Sequence, residues 1–222
     1  AGDDSLAIGG CSASETILEP TDETSPIVKA TEVAGLVLRD VSLDGGRRAL
    51  WIWQGGSALV QSVDINNSQR AAILVDGVAG IPEVSLVDTT VDTVVTDGET
   101  ISFAYGISAN LAHVSMEGGG IRAATGAGIL LAGVTTEFTG GGFYVEATNV
   151  TAAGAFGRGI QVQDLAVLEI ADDVRLSDNA DAGLYAVNFQ YVGLSGVTID
   201  GTVAGLIDGE ATGDGVVLAG GD

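Results

Sequence analysis

At 222 residues the chain is long enough to bury a substantial core, and its 46% hydrophobic content comes with only 5% aromatics and 34 glycines. A core of Val, Ile, Leu and Ala with glycine at frequent corners suits thin regular strands better than packed helices. The formal net charge of −22, with Lys29 the single lysine, excludes nucleic acid and anionic membrane surfaces as partners, since both are bound through cations.

The acidity reads first as solubility and resistance to association. Cys11, the single cysteine, excludes an internal disulfide and a multi-cysteine metal site, and a small apolar thiol is expected inside a strand. No apolar run reaches bilayer length, so membrane insertion is not expected.

In chain order, residues 1–28 form an irregular first coil, in which Leu6, Ile8 and then Ile17 start an apolar alternation. From Val33 onward a unit recurs: Val, any residue, a large aliphatic, then a turn former. It stands as VSLDGG at Val41, VDINNS at Val63, VSMEGG at Val114, VRLSDN at Val174 and VTIDGT at Val197, with a degenerate VTTEFTGG at Val134. A second alternating strand precedes each unit, as in ALWIWQ (49–54), GILLAG (128–133), GFYVEA (142–147), GIQVQD (159–164) and GLYAVN (183–188).

Dividing Val41 to Val197 into seven intervals gives roughly 22 residues per coil and about nine coils over the chain, a period that signals a solenoid. Asp-Gly pairs at 44, 76, 97, 200, 208 and 214 close strands, where glycine tolerates positive φ. Segments 88–105 and 151–158 read as loop insertions, the economical places for binding. The alternation points Leu50, Ile52, Phe143, Val145, Ile160 and Val162 inward. It leaves Trp51, Trp53, Tyr144, Glu146, Gln161 and Gln163 outside. The fold class is all-β: one parallel β-helix, a solenoid domain over 1–222.

The pattern GRGIQVQ…LEIADDVRLSDNADAGLYA (157–186) resembles the right-handed parallel β-helix repeat proteins of bacterial secreted and cell-surface type, with the pectin-lyase-like superfamily fold. LAIGGCSASETIL resembles the coil that often opens such domains. The resemblance covers nearly the whole chain and implies a fold and an extracellular or surface location, while its members range from polysaccharide lyases and hydrolases to adhesins. No amphipathic capping helix precedes Leu6 and a strand-like GVVLAGGD closes the chain. Open solenoid ends expose strand edges. The expectation is therefore a segment of a longer polypeptide, or ends that associate end to end or laterally.

Sugar hydrolysis needs two suitably spaced carboxylates, and Asp76, Glu146 and Asp164 are the acids that follow strands on the outer wall. The Asn-Thr-Asp, Gly-His-Gly and Arg-Ile-Lys motifs of polygalacturonase-like β-helices are absent. WIWQ at 51–54 starts like the Trp-Ile-Asp-His pattern of pectate lyases, then departs from it. Asp172, Asp173, Asp178 and Asp181 offer hard oxygens for Ca2+ at turns, without an EF-hand or nonapeptide array. Trp51 and Trp53, joined by Tyr144 and Tyr185 in later coils, form a candidate aromatic stripe for sugar rings or partner proteins. His113 reads as a corner residue. The function expected is a non-catalytic structural or adhesive extracellular module touching glycans or surface proteins, with a polysaccharide lyase or glycoside hydrolase as the alternative.

Overall fold

The computed structural model describes residues 6–32, 34–96, 104–146, 157–203, 206–207, 210–211 and 213–221. These form three eight-stranded parallel sheets that wind as a β-solenoid of about 7 turns, with no helix among the described residues. A coil contributes one strand to each sheet in turn. Ala34–Arg39, Ser42–Asp44 and Arg48–Trp53 make one such coil, and Ser57–Gln61, Asp64–Gln69 and Ala71–Asp76 the next. The sheets are called first, second and third in that order.

Three strands per coil correct the expected period. Along the second sheet, Ser42, Asp64, Thr90, Gly120, Tyr144, Arg175 and Thr198 are successive register partners, so this stretch holds six steps of about 26 residues rather than seven of about 22. The recurring valine unit misled the count because it serves two sheets. VSLDGG, VDINNS, VRLSDN and VTIDGT feed the second sheet, whereas VSMEGG lies on the first, within His113–Glu117. Of the segment 88–105, Thr90–Val95 is a strand of the second sheet and 97–103 lie outside the described residues. Of 151–158, Arg158 opens a third-sheet strand and 151–156 lie outside them.

Parallel in-register stacking turns alternation along a strand into columns along the axis. On the third sheet Val28, Leu50, Ile73, Ile107, Ile129, Ile160 and Leu184 form one inward column, all at most 8% exposed. The second sheet supplies Leu43, Ile65, Val91, Ile121, Val145 and Leu176, each 2% exposed or less. β-Branched and leucine side chains suit such a column, since each covers its neighbour one strand away without leaving its rotamer. Phe138 and Phe143 meet edge to face inside, their ring centroids 5.8 Å apart.

The corner from the first to the second sheet shows why Asp, Ser and Gly mark the turns. Asp40, Ser62, Asp88, Gly118, Gly142, Asp172 and Gly196 all take left-handed φ, between 47° and 70°. Asp40 N–H donates to Gln61 C=O, Ser62 to Val87, Asp88 to Glu117, Gly118 to Gly141 and Gly142 to Asp172. One or two left-handed residues turn the chain from one sheet to the next while the first amide stays in the axial ladder. Short polar side chains and glycine accept that geometry at least cost.

Candidate functional site

The three sheets share an apolar inside, so any function is written on the outside. Two outer regions stand out.

The first lies on the third sheet. Leu50 and Ile52 point into the core at 0% and 2% exposure, which obliges Trp51 and Trp53 to face outward. Two positions apart on one strand, the rings lean together with centroids 5.3 Å apart and planes 17° apart. Lys29, the register partner of Trp51, holds its Nζ 4.2 Å from the Trp51 centroid and 4.9 Å from that of Trp53. The Arg48 guanidinium lies 4.9 Å from the Trp51 centroid. Burial, with repulsion from Arg47 and Arg70, pulls the Arg48 pKa below its ordinary value. This is a cation–aromatic cluster rather than a flat platform: each indole presents one face to the other. Both indole Nε1 atoms are buried without a hydrogen-bond partner.

The expected aromatic stripe is not continuous. Tyr185 shares the outward column of Trp51 but stands five strands further along, with the Arg158 guanidinium 3.5 Å over its ring. Tyr144 belongs to the second sheet, beneath the Arg122 guanidinium at 4.8 Å. Arg158 is itself enclosed, its Nε donating to Asp181 Oδ2 at 2.7 Å with both side chains under a tenth exposed. Burial also raises the Tyr105 pKa, partly offset by the Arg158 charge.

The three acids considered for hydrolysis do not converge. Asp76 is on the third sheet and accepts from Asn110 Nδ2 at 3.2 Å. Glu146 is on the second sheet, 3.4 Å from Arg122 Nε. Asp164 is a left-handed corner that accepts from Gln163. Of the acids considered for calcium, Asp172, Asp173 and Asp178 are also left-handed corners, with φ of 58°, 64° and 56°. Asp181 belongs to the buried pair with Arg158. Among the described residues no group of three or more His, Cys, Asp or Glu is placed to hold a metal ion. Cys11 is exposed rather than inside a strand.

The second region is a groove on the first sheet, of about 350 Å³. Glu83, His113 and Glu137 are consecutive register partners on its rim, and Ser85, Ser115 and Thr139 form the next outward row. Inward Val84, Val114 and Phe138, all at most 3% exposed, fix this orientation. Short hydroxyl side chains beside long ones leave the trough. His113 is therefore a wall residue at the start of a strand, not a corner, with Nε2 4.0 Å from Glu137 Oε2. Nothing local marked the trio: its members lie 30 and 24 residues apart, and only the register brings them together.

Comparison with known proteins finds no matching family model, no similar curated protein and no similar solved structure.

Proposed function

We propose that this chain is a rigid, non-catalytic β-solenoid module that works outside the cell or at its surface, as a stalk or adhesive element. The observation that carries the reading is the continuous wall: three eight-stranded parallel sheets around one aliphatic core. Such a wall resists bending and presents outward side chains at fixed spacing of about 4.8 Å along the axis. The resemblance of the 157–186 sequence pattern to secreted β-helix repeats motivates the location, and the Trp51/Trp53 cluster is the contact proposed for glycans. The dispersal of Asp76, Glu146 and Asp164 over two sheets and a corner favours binding over hydrolysis, which needs two carboxylates facing one bond.

Incubation with a panel of neutral and acidic polysaccharides, with and without calcium, tests the reading. No new reducing or unsaturated ends are expected. Turnover would replace it with a carbohydrate-active enzyme. The Trp51→Ala/Trp53→Ala variant should lose binding to the neutral and acidic glycans of that panel, and wild-type binding of them by that variant would remove the cluster from the contact.

A further inference from the structure

The groove on the first sheet is separate from the tryptophan cluster and carries chemistry of the opposite sign. Parallel strands lie about 4.8 Å apart, so the Glu83 and Glu137 backbones are roughly 10 Å apart with the His113 imidazole between them. The hydroxyls of Ser85, Ser115 and Thr139 follow the same spacing in the adjacent row. Two carboxylates, one imidazole and the hydroxyls supply the polar lining, and neither lysine nor arginine belongs to it. The side chains of His113 and Glu137 are 40% and 54% exposed, so a ligand reaches them from solvent.

This composition restricts the occupant. An anion would meet both carboxylates in a chain of net charge −22, whose field draws cations toward the surface instead. A bare metal ion fits poorly, because the strand spacing holds the three rim groups apart and they do not form a ligand set. An aliphatic amine would satisfy the carboxylates and leave the hydroxyl row unused. A groove of about 350 Å³ falls in the range of small-ligand sites, and burying part of a ring there would bring its hydroxyls onto the serine and threonine row.

We propose that the groove of Glu83, His113 and Glu137 binds an ammonium-bearing saccharide, a hexosamine unit with its amine free. The ammonium sits against one of the two carboxylates, since charge-assisted hydrogen bonds are the strong ones. The ring hydroxyls exchange hydrogen bonds with Ser85, Ser115 and Thr139. His113, held between the two glutamates, takes a hydrogen bond through whichever imidazole nitrogen is left free.

Isothermal titration of the whole chain with a glucosamine trimer tests this, with the N-acetylated trimer as the uncharged control. The free-amine trimer should bind, and acetylation should weaken binding about two- to fivefold. Glu83→Gln/Glu137→Gln should weaken it by a similar factor. These positions are exposed, and circular dichroism will show whether the fold survives. Ser115→Leu fills the trough with both carboxylates in place, and it should abolish binding; it decides the matter if the charge variant misfolds. Trp51→Ala/Trp53→Ala should bind as wild type. No binding of the free-amine trimer, equal binding of the acetylated one, or loss on the tryptophan variant alone would each overturn the assignment. The last of these would move the ligand to the other sheet.

Discussion

The first and third sheets are built alike within and differ without. Both send aliphatic columns into the same core, so their inward faces are interchangeable in kind. Outside, the third sheet gathers Lys29 and Arg48 about two stacked indoles, while the first sets Glu83 and Glu137 on either side of His113 above a row of hydroxyls. The difference shows where the constraint lies. Inward positions are mostly apolar and must be close-packed. Outward positions answer only to strand geometry, so one solenoid can carry a cationic aromatic cluster and an acidic groove without changing its fold.

The shared interior makes the largest prediction. Phe138 is fully buried, lies behind the groove and packs edge to face on Phe143. Phe138→Ala should destabilise the protein by about 3–5 kcal/mol, read as a fall in the denaturation midpoint. A loss near that of a surface substitution would mean the core is not continuous behind the groove.

Ion pairs on the wall test burial in the same way. Arg158–Asp181 is enclosed, while Arg175 Nη2 to Asp200 Oδ2 at 3.3 Å is half exposed. Arg158→Ala strands a buried carboxylate and removes the cation over Tyr185, so a loss of about 3–5 kcal/mol is expected. Arg175→Ala should cost no more than about 1 kcal/mol. Equal effects would show that enclosure does not separate the two pairs.

How much of this was legible in the sequence follows the same division. Leu50/Ile52 and Ile160/Val162 announce their inward direction because period two is local, and a parallel solenoid follows from the recurrence. The coil count failed because VSMEGG and VSLDGG look alike yet belong to different sheets, so strand identity is not carried by the motif. Outward constellations depend on register between distant strands. Trp51 and Trp53 were visible as neighbours, whereas Lys29 over their rings was not, since it reaches them from the preceding coil. Glu83, His113 and Glu137 were missed for the same reason. Asp172, Asp173 and Asp178 drew attention as oxygen ligands, and their left-handed backbone explains them as corners.

A smaller effect of opposite sign is expected at Ser68. Its strand, Asp64–Gln69, sends the Ser68 side chain inward to 0% exposure, where Oγ has no hydrogen-bond partner. The register partner is Val94, and Ala124 follows one strand later, so the surroundings are apolar. A buried hydroxyl without a partner loses its hydration and gains nothing in return. Ser68→Ala removes that cost with little change of volume and should stabilise the protein by about 1 kcal/mol.

The smallest expected effect bears on the cationic side of the comparison. Lys29 lies 4.2 Å and 4.9 Å from the two indole centroids and is otherwise exposed. At exposed sites a cation–π contact is worth about 0.5–1 kcal/mol. Lys29→Met keeps the aliphatic stem over the rings and deletes the charge, so it should lower stability by no more than that amount. It should also change the tryptophan fluorescence, because the ammonium stands 4.2 Å and 4.9 Å from the two ring centroids. If stability and emission are unchanged while Arg48→Met alters both, then Arg48, and not Lys29, holds the cluster. The contrast between the two sheets would then reside in the strand that carries the tryptophans and not in its neighbour.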